Sequence, residues 1–261
     1  MKNDIDDLLS IMARLRDPRS GCPWDLQQDY ASIVPHTLEE AYEVAHAIEQ
    51  GTKEELRDEL GDLLFQIIFY SQLAKEEQAF DFDDVVAAIC QKMVRRHPHV
   101  FSDEKSTPYD EIASRWEEIK VQEKSSRSSR YLLDDIAHNM PALTRSLKLQ
   151  KRAARHGFDW PDITPVFDKL QEEILEVREA LELDGNQEKI TEEVGDLLFS
   201  CVNLARHANI DPEQALRVAN YKFQKRFNRV EELARQAEMP LTNCDLEQLE
   251  QYWQQAKQET S

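Results

Sequence analysis

An eight-residue string in the first half of this chain, Asp58-Glu59-Leu60-Gly61-Asp62-Leu63-Leu64-Phe65, returns in the second half as Glu192-Glu193-Val194-Gly195-Asp196-Leu197-Leu198-Phe199. Upstream of each copy stands a second shared string, Glu39-Glu40-Ala41-Tyr42-Glu43 in one half and Glu172-Glu173-Ile174-Leu175-Glu176 in the other. The gap between the two strings differs by one residue between the halves, a slip that belongs in a loop. Downstream, Lys92 with Arg95 and Arg96 answers to Lys222 with Lys225 and Arg226, and Trp116 with Lys120 answers to Trp253 with Lys257. Self-similarity in one fixed order is the mark of a duplicated structural unit. The chain is therefore expected to hold two copies of one fold.

That fold should be all-α. Only six glycines occur in 261 residues, and the dominant residue types lose least on entering a helix. Apolar positions recur at three and four residues in Ile5, Leu8, Leu9, Met12 and Leu15, and again in Val166, Leu170, Ile174 and Val177. No segment sustains two-residue alternation. The pattern predicts helices over 3–16, 37–50, 53–77, 81–97 and 107–124, then 141–155, 164–183, 187–208, 211–234 and 245–258. Between the sets lies Lys124-Ser125-Ser126-Arg127-Ser128-Ser129-Arg130, small and polar, which suits a solvated connection. The expected division is a first domain over 1–124, a linker over 125–140 and a second domain over 141–261.

Composition narrows the partners. Lys and Arg total 32 against 51 Asp and Glu, a formal charge of −19 that repels nucleic-acid backbones and anionic membranes. A phosphate ligand needs local positive help. Four scattered cysteines without a CxxC pair fit reduced thiols, and the charged N-terminus and short apolar runs predict neither signal peptide nor membrane span. A cytoplasmic location is expected.

The repeated strings carry the chemistry. Residues three apart share a helix face, so Glu173 with Glu176, and Glu193 with Asp196, each form a carboxylate pair. A turn near 183–187 would bring the second helix back antiparallel, converging four carboxylates. Bare, they repel; a hard divalent cation with oxygen ligands relieves the repulsion, and Mg²⁺ keeps exchangeable waters that a phosphate oxygen replaces. A metal-bridged polyphosphate is the natural ligand, with Mn²⁺ an acceptable substitute ion.

A plainer account exists for Glu40, because Thr37-Leu38-Glu39-Glu40 reads as a capping box. The second copy has Leu170 where Thr37 stands and still keeps Glu173, so capping does not explain the pair. Gly61 and Gly195 point the same way: a helical glycine costs about 0.5–1 kcal/mol relative to Ala, and close helix approach is the expected compensation.

The Glu-Glu-x-x-Glu motif followed by Glu-x-x-Asp with Gly-Asp-Leu-Leu-Phe resembles the MazG family of all-α nucleoside triphosphate pyrophosphohydrolases. Gly21-Cys22-Pro23-Trp24-Asp25, Arg95-Arg96-His97-Pro98-His99-Val100-Phe101 and Gly157-Phe158-Asp159-Trp160 extend the likeness to a two-domain member over the whole chain. The resemblance implies tandem helical domains, each built on an antiparallel helix pair and completing a bundle by dimerisation, so the partner is a second copy. It implies hydrolysis of NTPs or dNTPs to monophosphate and pyrophosphate, for nucleotide-pool cleaning or regulation. By the same resemblance Mg²⁺ sits on Glu173, Glu176, Glu193 and Asp196, and in the first copy on Glu40, Glu43, Glu59 and Asp62.

Chemistry and resemblance agree on attack of a metal-activated water at the α-phosphorus. Glu172 or Glu192 is a candidate proton acceptor. Lys222 and Arg226, four apart on one face, are candidates to clamp phosphates, and Trp253 to stack on the base, although core packing explains a lone tryptophan equally well. The second copy is favoured for turnover. Lys189 shares a face with Glu193 and Asp196 where the first copy has Glu55, and Asn203 offers hydrogen bonds to sugar or base where the first copy has Phe69.

Competing classes fit less well. Glu43-Val44-Ala45-His46 matches a di-iron ligand pattern, but the second copy has Glu179 in place of His46. The His97-Pro98-His99 pair reads as a loop after a helix, no GxxxxGK string occurs, and Arg57-Asp58-Glu59-Leu60-Gly61 is too short for a Nudix box. An acidic helical scaffold, or a nucleotide-binding regulator without turnover, is the remaining alternative.

Overall fold

The computed structural model describes residues 4–101, 131–182 and 186–259. Helices, and no strands, make up its regular elements among these residues. In chain order they are α1 (Ile5–Leu15), α2 (Pro23–Leu26), α3 (Tyr30–Gln50), α4 (Lys53–Glu76), α5 (Phe82–Arg96) and α6 (Pro98–Phe101). These are followed by α7 (Ala142–Ala154), α8 (Thr164–Glu182), α9 (Gln187–His207), α10 (Pro212–Gln236), a 3₁₀ turn (Leu241–Asn243) and α11 (Leu246–Glu259). The chain divides into two compact units, Met1–Ser126 and Arg127–Ser261. The expected helix over 107–124 lies outside the described residues, as does the first part of the expected linker.

In the first unit α3 packs along α4, with α1 and α5 also against α4. Met12, Ile33, Ile68, Phe69 and Leu73 form its buried cluster, and each such side chain contributes about 1.5–3 kcal/mol. Arg16, itself buried, locks the end of α1 to α4 through a two-pronged ion pair with Glu76 at 2.9 and 2.7 Å. In the second unit α8 packs along α9, α7 lies on α9, and α11 packs on α10.

Two sequence expectations change here. Helix α3 starts at Tyr30, seven residues ahead of the expected 37, and runs through Pro35. Its cap is Asp29, which exchanges hydrogen bonds with Ser32, and Asp29 supplies the acceptor that the helix N-terminus needs. Thr37 is therefore interior. Its hydroxyl bonds the Ile33 carbonyl at 3.1 Å and the Tyr70 hydroxyl at 2.8 Å, so the capping-box account of Glu40 falls away. The glycines are the second change: a Cβ added at Gly61 or Gly195 meets nothing within 4 Å. No close helix approach within the described chain accounts for them.

Candidate metal and nucleotide site

The strings that repeat in the sequence fall on α3 and α4 in the first unit and on α8 and α9 in the second. Each helix is properly begun: Thr52 caps α4 by a capping box with Glu55, and Asn186 caps α9 through the Glu188 amide. With the helix pair packed along its length, carboxylates from both partners meet. In the second unit, Glu173, Glu193 and Asp196 each bring an oxygen within 4.8 Å of the others. Glu173 and Glu193 are buried and Asp196 is exposed. In the first unit the corresponding group is Glu40, Glu43 and Glu59. Thus Glu176 and Asp62 stand beside these trios rather than within them, though each is close enough to act on its neighbours' charge: burial first and then Glu173 and Glu193 hold Glu176 above the usual carboxylate range.

The two trios differ in their counter-charges. Lys169 pairs with Glu173 at 2.8 Å and with Glu172 at 2.6 Å, and Lys189 pairs with Glu193 and, at 3.3 Å, with Glu192. Both ammonium groups are pushed up in pKa, Lys169 first by Glu172 and Lys189 first by Glu193. In the first unit, Glu40 is raised by burial and then by Asp62 and its neighbours, and Glu59 by burial and then by Glu43. Glu55, where the second copy has Lys189, turns its carboxylate to the Thr52 backbone N–H at 2.6 Å. It completes a helix cap while still adding to the repulsion at Glu59.

A buried oxygen in the second trio, Glu173 Oε2, has no hydrogen-bond partner. An uncompensated carboxylate oxygen nearly out of solvent is costly, and a cation bound by three convergent carboxylates would satisfy it. The donor set is all oxygen, which suits Mg²⁺ or Mn²⁺ and disfavours zinc.

Glu173 and Asp196 also line a cavity of about 720 Å³. Lys169, Gln150, Phe199, Ser200 and Asn203 line it, and Phe158, Trp160, Asp159 and Arg206 stand around the rest. Phe158 is 84% exposed although apolar, an aromatic face available to a ligand. Arg206 and His207 anchor Asp159, and the hydrogen bond from Arg206 is the first reason that the Asp159 carboxyl sits below its ordinary range.

Of the residues singled out from sequence, Glu173, Asp196 and Asn203 line this cavity, with Glu193 joining through the trio. Glu172 and Lys189 do not line it and are engaged in ion pairs. Lys222, Arg226 and Trp253 do not line it. Trp253 packs against Phe223 with ring centroids 5.3 Å apart, linking α11 to α10. Lys222 is exposed and Arg226 half-buried on α10. Sequence reasoning missed Lys169, whose spacing four before Glu173 is the same signal that marked Lys189, and it missed Gln150, which no spacing rule marks.

An all-helical chain that sets carboxylates from paired helices around one point, twice, is a duplicated helical protein whose two acidic clusters could each hold a metal ion. It matches the MazG nucleotide pyrophosphohydrolase domain at residues 28–101 and again at 164–231, and belongs to that family. It is 51% identical to the nucleoside triphosphate pyrophosphohydrolase of Escherichia coli strain K12, over 98% of both chains. It is 41% identical to the nucleoside triphosphate pyrophosphohydrolase/pyrophosphatase MazG of Thermotoga maritima, over 97% of this chain and 95% of that one. The crystal structure of a mazG-related protein from Thermotoga maritima aligns with 45% of this chain and 99% of its own, at 26% identity and a TM-score of 0.38. The family is one of hydrolases, and the duplicated strings are its repeated domain. Among the described residues no helix is long and apolar enough to cross a membrane.

Proposed function

We propose that this chain hydrolyses nucleoside triphosphates, NTPs or dNTPs, to the monophosphate and pyrophosphate, and that the second unit carries the turnover. The observation that supports this most is the carboxylate trio, with Glu173 and Glu193 buried, two of whose members line a cavity that also carries amides, aromatics and Lys169. The two relatives from Escherichia coli and Thermotoga maritima named above as nucleoside triphosphate pyrophosphohydrolases point to that substrate, and these groups suit it.

Glu173, Glu193 and Asp196, with Glu176 beside them, would hold Mg²⁺, or Mn²⁺ in its place; Glu40, Glu43, Glu59 and Asp62 form the corresponding first-copy set. When bound, the ion would supply an acidified water and offset charge on the phosphate oxygens. The chain's residues do the rest. Lys169, which lines the cavity, and Lys189 pair with the carboxylates that would hold the ion, and would be free to hold phosphate oxygens as point charges once it is bound. Phe158 and Trp160 offer stacking faces for the base, and Asn203 a hydrogen bond. Water attacks the α-phosphorus and pyrophosphate leaves, with no covalent intermediate on the protein. Glu172, which pairs with Lys169, or Glu192, which pairs with Lys189, is the candidate proton acceptor.

The reading extends to domains over 1–124 and 141–261 with a linker over 125–140, a cytoplasmic setting and a role in cleaning or regulating the nucleotide pool. It also includes a homodimer. Ile174 and Leu175 on α8 and Leu198 and Phe199 on α9 are exposed apolar residues beside the site, and pairing would cover them. The test is pyrophosphate release, as distinct from orthophosphate, from a panel of NTPs and dNTPs with and without Mg²⁺, in wild type and Glu193→Ala. Metal-dependent pyrophosphate release lost in the variant supports the proposal. Nucleotide and Mg²⁺ binding without turnover would leave a regulatory binding protein instead.

A further inference from the structure

Gln150 on α7 is 8% exposed and lines the cavity. Its amide nitrogen donates to the Phe199 carbonyl at 2.8 Å, which fixes the amide's sense, since the reverse orientation would set two acceptor oxygens against each other. Oε1 is left buried and without a partner. Native proteins seldom leave such an acceptor unpaired without a reason. Nearby, Asn203 is fixed in the opposite sense: Arg206 donates to its Oδ1 from Nε at 2.9 Å and from the terminal nitrogen at 2.8 Å, which leaves Nδ2 as the donor that this cavity-lining residue can offer. Arg206 is in turn held by Asp159. Two pinned amides thus offer one acceptor and one donor in a cavity that Glu173, Asp196, Phe158 and Trp160 also line.

Building on the nucleotide reading, we infer that Gln150 is a specificity-determining residue whose Oε1 accepts an N–H from the edge of the bound base. A base edge pairs a donor with an acceptor, which matches Gln150 Oε1 and Asn203 Nδ2. A triphosphate lacking that N–H leaves Oε1 orphaned in the complex as well. Sites built to hydrogen-bond a substrate group reject the analogue without it far more strongly than apolar pockets reject a missing methylene.

The experiment compares kcat/KM for pyrophosphate release from the best natural NTP and from its analogue lacking one base N–H. The pairs are ATP with purine riboside triphosphate, GTP with inosine triphosphate, CTP with 2-pyrimidinone riboside triphosphate and UTP with its 3-methyl form. Wild type is expected to prefer the natural substrate by about tenfold or more, and the near-isosteric Gln150→Met to bring the ratio to about one by lowering only the natural substrate's kcat/KM. Folding is checked by circular dichroism, and Gln150→Ala serves if the methionine variant does not fold. No wild-type preference, a preference that survives substitution, or equal loss for both substrates overturns the inference; equal loss would mark Gln150 as a brace for Phe199 alone. A loss that tracks the ribose 2′-hydroxyl, seen as a changed NTP to dNTP ratio, also overturns it. Absence of pyrophosphate release from any nucleotide in wild type would defeat the underlying function instead.

Discussion

At the position where the first unit buries Phe69 completely in its core, the second unit carries Asn203 on the wall of a cavity. Beside the second unit's carboxylates stand two lysines, while the carboxylates of the first are left to repel one another. One ancestral pattern has thus been spent in two ways. The first copy gains apolar packing, and the second gives up that packing for a space lined with directed polar groups. Retained carboxylates alone therefore do not make the copies equivalent.

The largest test of this contrast is to remove one carboxylate from each. Glu193→Ala is expected to lower pyrophosphate release by more than about a hundredfold, beyond the loss usual for residues that only support a metal's ligands, whereas Glu59→Ala leaves most of it. Equal losses would break the comparison. Next in size, Asn203→Phe imports the first copy's residue and fills the cavity; kcat/KM should fall by roughly tenfold to a hundredfold while the melting temperature holds or rises. Unchanged kinetics would show that the cavity is not the substrate's.

Stability without divalent cations sharpens the comparison, because the copies should respond with opposite signs. A raised Glu40 pKa means that the folded state is penalised for ionising it at neutral pH. Glu40→Gln is expected to raise the melting temperature in chelator by about 1–2 °C at pH 7, the gain vanishing as pH falls through the carboxylate range. Glu173→Gln strips Lys169 of one partner and should lower it by about 2–4 °C. The smallest effect concerns Asp159, whose pKa is depressed from 3.8 in the folded state. Its contribution is complete above that ordinary value and is lost as pH falls through the lower folded one. Melting temperatures measured from pH 7 down to about 3 should therefore fall less for Asp159→Asn than for wild type.

Much of this was legible in the residues. Three- and four-residue periodicity located α4, α5 and α7 to α11 to within a residue or two, since amphipathic helices carry their own register. The start of α3 was not, because Pro35 followed by Thr37 imitates a helix beginning while the working cap, Asp29, lies before the proline. Spacing predicted four converging carboxylates in each copy, and three in each bring oxygens within 4.8 Å of one another. Lys222 and Arg226 recur as faithfully, yet are not among the residues that line the cavity. Gln150 gave no signal because its role depends on an amide held by a carbonyl on another helix, a tertiary fact. Gly61 and Gly195 were legible as unusual but not as to cause: nothing in the described chain approaches them.

The lysine pairs of the second trio also govern how each site would fill. In a chelator-treated preparation, a cation arriving at Glu173 and Glu193 must evict tethered ammonium groups, so its uptake should quicken as salt weakens those pairs. At Glu40 and Glu59 no such lysine pair stands in the way among the described residues, so added salt should only slow uptake there by screening the carboxylates. Two sites that share one sequence pattern would then answer to ionic strength in opposite directions.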